Sequence, residues 1–136
     1  MMNITKIDTL ESVENIYLRE RAERARSGRS REFVAKIDGC EAGLLSYEDW
    51  SHQSLGFIYE IFVLPEYRGQ GLGRELLSYA EELAKGLHCT SIQLKPYAFD
   101  RTLDSEWLVS WYARHGYMQK TDDLAKMEKS LVGMRP

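Results

Sequence analysis

The sequence predicts an α/β fold, a mixed central β-sheet with helices on both faces. Three observations carry this. Phe57 to Leu64 is apolar or aromatic throughout except for Glu60, the pattern of a central strand. An amphipathic helix and then a further strand follow it, and a helix between two strands implies a right-handed parallel crossover. Asp38-Gly39, between two apolar stretches, is a strong hairpin signal and supplies an antiparallel half.

Taken in order, Asn3 to Ile7 reads as a short first strand. Asp8 or Thr9 can cap a helix, with Glu11 placed as in a capping box, and Val13, Ile16 and Tyr17 give the helical stripe. Ser27-Gly28 breaks that helix. Phe33 to Ile37 and Cys40 to Tyr47 are the arms of the hairpin, and Trp50 to Ser54 is a polar loop. Phe57 to Leu64 is the central strand, in which strict alternation puts Glu60 on one face with Ile58, Phe62 and Leu64. From Leu72 to Lys85, Leu72, Leu76, Ala80 and Leu83 form one stripe opposite Arg74, Glu75, Ser78, Glu81 and Glu82. Gly86 is the expected stop. Ser91 to Lys95 is a strand ended by Pro96, and 97–102 is a loop. Asp104 or Ser105 caps a helix that carries Trp107, Leu108, Trp111 and Tyr112, and Gly116 ends it. Tyr117 to Lys120 and Ala125 to Ser130 give two last strands.

With 136 residues and no repeat, low-complexity tract or linker, the expectation is one domain over the whole span 1–136. No apolar run is long enough to cross a membrane, and no secretory signal is seen at the start. Cys40 and Cys89 form no CxxC or Cys/His cluster, which fits core residues of a cytoplasmic protein. His52, His88 and His115 show no metal-ligand spacing, so no metal is expected. The net charge of −3 disfavours a nucleic-acid partner. One local exception is the cluster Arg19, Arg21, Arg24, Arg26, Arg29 and Arg31, either a solvated face paired with nearby acids or the wall of an anionic ligand site.

The informative segment is Arg68-Gly69-Gln70-Gly71-Leu72-Gly73, which joins the central strand to the long helix. Free amides in a first helical turn, together with the helix dipole, hold phosphate, and glycines let the backbone approach a ligand closely. The two common nucleotide motifs fail in detail. The glycines are not spaced G-x-G-x-x-G, and Arg74-Glu75 stands where a P-loop carries Lys-Ser/Thr.

This segment resembles the Arg/Gln-x-x-Gly-x-Gly/Ala acetyl-CoA turn of the GNAT N-acetyltransferase family at every defined position. The lead-in Ile61 to Tyr67 is similar as well. A second block, Trp111-Tyr112-Ala113-Arg114-His115-Gly116-Tyr117, resembles the family's late aromatic-Tyr-x-x-x-Gly-aromatic motif. The resemblance implies a GNAT-like fold whose central strand splays from its neighbour to hold the CoA arm. It implies that the amides from Gly69 to Arg74 take the pyrophosphate of acetyl-CoA, with Arg68 nearby. Main-chain groups of Phe62, Val63 and Leu64 would pair with the pantetheine arm. Ser105 stands where many members carry an Asn, so arm contacts on that side are altered.

The implied reaction is direct transfer of an acetyl group from acetyl-CoA to a primary amine, small or protein-borne. It needs a deprotonated amine, a donor for the oxyanion and a proton for the thiolate, and no covalent intermediate. The resemblance makes Tyr112 the acid and the Val63 N–H the oxyanion donor. Glu60 is the base, an ammonium anchor, or the ion-pair partner of one of the arginines. Trp50, Tyr47, Trp107 and Tyr97 are either acceptor-pocket or core residues. The short N-terminal helical region leaves the acceptor site open or completed by a second subunit in a homodimer. The competing function is a non-catalytic acyl-CoA-binding regulatory module on the same fold.

Overall fold

The computed structural model describes residues 1–96 and 104–132. Seven strands form one sheet in the order β1-β2-β3-β4-β5-β7-β6. They are β1 (Met2–Lys6), β2 (Ser30–Ile37), β3 (Cys40–Trp50), β4 (Leu55–Val63), β5 (Ser91–Leu94), β6 (Met118–Gln119) and β7 (Met127–Ser130). The helices are α1 (Ile16–Ala25), α2 (Leu72–Gly86) and α3 (Ser105–Arg114). Every neighbouring pair is antiparallel except β4 and β5, which are parallel and joined through α2. The mixed sheet and its crossover are those the sequence predicts. The loop expected at 97–102 lies outside the described residues.

Two apolar layers flank the sheet. On one face Leu72, Leu76, Leu77, Ala80 and Ala84 of α2 pack on Leu45, Tyr47, Ile58, Ile92 and Leu94, and Tyr112 of α3 joins them. On the other, Leu18 and Ala22 of α1 pack on Val34, Leu44, Phe62 and Leu64. The Asp38-Gly39 turn has φ of 50° and 84°, the doubly left-handed geometry of a two-residue hairpin that its sequence favours.

Three local expectations are corrected. Asn15, rather than Asp8 or Thr9, caps α1, accepting from the amides of Tyr17 and Leu18 at 3.0 and 3.1 Å. Residues Leu10–Ser12 form only a short 3-10 turn. Gly86 lies inside α2, and His88, at φ 63°, supplies the left-handed stop. Cys89 N–H then reaches the Ala84 carbonyl and His88 N–H that of Lys85, both at 3.0 Å, in a Schellman closure.

The third correction concerns β4. Ser46 lies opposite Glu60, but Tyr47 lies opposite Ile58, so Tyr59 is an extra residue. This β-bulge inverts the alternation. Ile58 faces α2, whereas Glu60, Phe62 and Leu64 face α1. Strict alternation therefore fails between Ile58 and Glu60.

At Gly43 of β3 a Cβ would meet the Phe62 carbonyl oxygen at 2.9 Å and Leu72 Cδ2 at 3.2 Å. Gly43→Ala should therefore lower stability by about 1–3 kcal/mol, the usual cost of overpacking, in urea denaturation with an unchanged slope.

Candidate active site

β4 pairs with β5 only from Leu55 to Ile58, and past that point it continues to Val63 without that neighbour. Two parallel strands that part leave main-chain groups of the longer one facing an opening. Leu64 N–H donates to the Ala42 carbonyl at 2.9 Å, so it points toward β3. Amides two residues apart share a direction, so Phe62 also points toward β3, while Ile61 and Val63 point into the opening. Of the three residues expected to pair with a cofactor arm, only Val63 thus has its main chain on that side. Its carbonyl accepts from Arg68 Nε at 2.9 Å, which aims Arg68 across the gap.

The opening is the mouth of a cavity of about 350 Å³. Its walls are the end of β4, the glycine turn and the α3 residues Trp107, Leu108, Trp111 and Tyr112. Gly69 and Gly71 hold φ of 79° and 84°, and a Cβ on either would meet nothing within 4 Å. The glycines are thus required by backbone geometry, and they leave the space over the turn clear. Among the described residues no side chain caps α2, whose N-cap is Gly71, so its first-turn amides are open to an anion, with Arg68 and Arg74 on the cavity wall. This cradle fits a pyrophosphate. Gly73 instead serves packing, since its Cβ position lies 3.5 Å from the Trp111 ring.

Tyr112 is buried, and burial, with the charge of Glu60 adding to it, pushes its phenol well above the ordinary tyrosine range. The phenol is therefore held protonated. The late sequence motif has a simple structural meaning. Gly116, at φ 96°, ends α3 in a second Schellman closure, with Gly116 N–H on the Ala113 carbonyl and Tyr117 N–H on that of Tyr112, both at 3.1 Å. The Tyr112 and Tyr117 rings meet edge to face at 5.6 Å, and Tyr117 Oη donates to Glu81 of α2 at 2.9 Å. The helix end thus clamps Tyr112 to α2.

Glu60 is only 8% exposed and lies under α1. Arg21 donates to its Oε2, and Arg24 to its Oε1 at 3.3 Å. Burial raises its pKa, and the two arginines oppose that rise. The Arg21 guanidinium also covers the Phe62 ring at 3.7 Å. Of the three roles foreseen for Glu60, the ion pair is the one in place. The other arginines of the cluster are engaged locally. Arg19 Nε donates to the Val13 carbonyl and Arg26 to that of Asp8, Arg31 pairs with Asp49, and Arg29 stacks on Trp50. They form a structural belt on the α1 side.

The other expected residues divide. Gly69, Gly71, Leu72, Gly73, Arg68, Arg74, Phe62 and Val63 line the cavity. Gln70 and Ser105 are exposed and do not line it, and Leu64 is buried beneath α1. Ser105 occupies the first turn of α3, capped by Asp104, and the cavity-facing residues of that helix begin at Trp107. Trp107 lines the cavity that holds the glycine turn, Tyr47 is a fully buried core residue, and Tyr97 lies outside the described residues. Ile61 and Tyr67 were not anticipated as wall residues. The periodicity that made Ile61 a strand residue carried no signal that the strand's edge would be open.

With this geometry in place, comparison with known proteins is direct. The family model for the acetyltransferase (GNAT) family matches residues 1–117, and the chain belongs to that family. An uncharacterised N-acetyltransferase of Archaeoglobus fulgidus is 41% identical over 56 residues, a segment that spans 38% of this chain and 38% of the archaeal protein. Among solved structures, the ribosomal-protein-S18-alanine N-acetyltransferase of Escherichia coli superposes with a TM-score of 0.71 at 16% identity, covering 99% of this chain and 97% of that one. The PaiA N-acetyltransferase of Thermoplasma acidophilum, solved in complex with coenzyme A, gives 0.68 at 16% identity over 96% and 99%. At these identities the two structures show the shared fold.

Removing Arg21 would leave a buried carboxylate with only the half-exposed Arg24 as counter-ion. Arg21→Ala should cost about 3 kcal/mol in equilibrium unfolding at neutral pH, the scale for breaking a buried pair, whereas Arg24→Ala should cost under about 1 kcal/mol.

Proposed function

We propose that the chain transfers an acetyl group from acetyl-CoA to a primary amine within a ternary complex. The observation that carries this reading is the single cavity that joins an uncapped glycine turn, the open edge of β4 and a buried, protonated tyrosine. The turn amides from Gly69 to Arg74 would take the pyrophosphate, and the edge of β4 at Ile61 and Val63 would pair with the pantetheine arm as a missing strand would. Acetyl-CoA supplies the thioester and is consumed as co-substrate.

In this reading the amine nitrogen attacks the thioester carbonyl carbon, and the Val63 N–H meets the oxygen as it gains charge. The carbon–sulfur bond breaks, and Tyr112 gives its proton to the departing thiolate and is recharged from water. The acceptor ammonium first gives up a proton to water at the slot, because Glu60 is held by Arg21 and Arg24 and lines neither cavity. The acceptor is a small or protein-borne amine.

Saturating acetyl-CoA should raise the melting temperature by several degrees, since a ligand at a hundred times its Kd adds about 2.7 kcal/mol. Gly71→Ala, which forces a side chain into left-handed geometry at φ 84°, should remove most of that rise. A rise without turnover on a broad amine panel would identify a binding module instead of an enzyme. No rise at all would sink the cofactor assignment.

Tyr112→Phe should lower kcat by about 10²-fold, the scale of a general acid, and leave the acetyl-CoA-induced thermal shift in place. Unchanged turnover would take the acid role away from Tyr112.

A further inference from the structure

A second cavity, about 380 Å³, lies on the α1 face of the sheet and is separate from the glycine turn. Its floor is β4 and β5. Ile58, Ile92 and Leu94 face α2, so Phe57, Gln93 and Lys95 face the other way. α1 packs against β2, β3 and β4, and this end of the sheet is left uncovered by it. Trp50, Phe57 and Tyr59 supply aromatic walls, and Lys95 and Lys126 supply positive charge.

The charge balance is asymmetric. Glu48 is the carboxylate on the wall, and its Oε1 accepts from the Trp50 indole N–H at 3.0 Å. Lys126 has Asp123 at 3.8 Å, a loose pair three residues away. Lys95 has no carboxylate at ion-pair distance among the described residues. Gln93 is held by Glu128, to which its Nε2 donates at 2.7 Å. Among the described residues the site therefore offers two ammonium groups and aromatic surface, with Glu48 bonded to Trp50 and Glu128 to Gln93.

Position along β4 links this cavity to the first. Ile58 is opposite Leu94, so Lys95 stands at about the level of Tyr59, where the two strands part. The main-chain groups of Ile61 and Val63 lie two to four residues further on, about 7–13 Å at the rise of a strand. We infer that this cavity is the acceptor site and that it takes an extended primary amine with a carboxylate at its far end, the carboxylate at Lys95 and Lys126 and the amine at the slot. This rests on the acetyltransferase reading above and narrows its acceptor class.

Three amines of matched length test it. 6-Aminohexanoate, n-hexylamine and cadaverine carry a negative, neutral and positive tail. The expected order of kcat/KM is the same, with the first at least about tenfold above the last, the scale of a charge-assisted contact. The double variant K95E/K126E should reverse the order and leave the acetyl-CoA thermal shift unchanged. Equal rates for the three amines, or an order unmoved by the double variant, would overturn the inference. Binding is read separately in CoA-free protein by titrating the Trp50 indole N–H resonance with 6-acetamidohexanoate and with N-hexylacetamide. Preferential binding of the carboxylate, lost in K95E/K126E, supports the pocket even if no amine turns over, and that combination would sink the acetyltransferase reading alone. Equal binding of both compounds would sink the pocket's assignment whatever the rates.

Discussion

The site depends on β4 outrunning its partner. Beyond Ile58 the strand has lost β5, and an unpaired strand end deep in a protein is costly unless something else fixes it. Three contacts do so here. β3 continues to pair on the other side as far as Val63, Arg68 ties off the Val63 carbonyl, and Arg21 with Arg24 holds Glu60 against α1. The opening is thus a rigid gap in a sheet rather than a frayed edge. Its remaining amides can meet a ligand without first becoming ordered.

The same economy governs the opposite wall. Among the described residues no polar side chain bonds to Tyr112. It is positioned by how α3 ends, through Gly116, Tyr117 and the hydrogen bond to Glu81. A motif that reads in sequence as a catalytic signature is, in structure, largely a helix terminus with its usual apolar contact. This accounts for the fixed distance from tyrosine to glycine and for the aromatic residue directly after it.

Much of this was legible in the chain. The strand, glycine turn and helix of residues 57–85 followed from apolar run, glycine spacing and a 3.6-residue stripe. The hairpin followed from Asp38-Gly39, and the end of α3 from Gly116. What could not be read depends on pairing between distant segments. The extra residue Tyr59 is invisible locally, because a bulge is defined only against β3, and so the face of Ile58 was misplaced. The direction of the Leu64 amide depends on Ala42, and the engagement of Glu60 on a helix almost forty residues earlier. His88 could not be preferred over Gly86 as a helix stop on propensity, since glycine is the residue that ordinarily takes the left-handed position, and here the position falls two residues later. Ser105 was set by counting back from Tyr112, and the count lands on an exposed residue in the first turn of α3, outside the cavity lining.

The bulge at Tyr59 acts as a phase shift in the strand. Upstream of it, odd-numbered side chains look toward α1; downstream, even-numbered ones do. The two cavities are therefore built by one strand in opposite parity, with Phe57 and Tyr59 serving one and Glu60 and Phe62 turned to the same side just beyond. Removing Tyr59 alone would leave Ile58 under α2 and Glu60 under α1, because the remaining residues would then alternate regularly; what would be lost is the aromatic wall that the extra residue gives the second cavity.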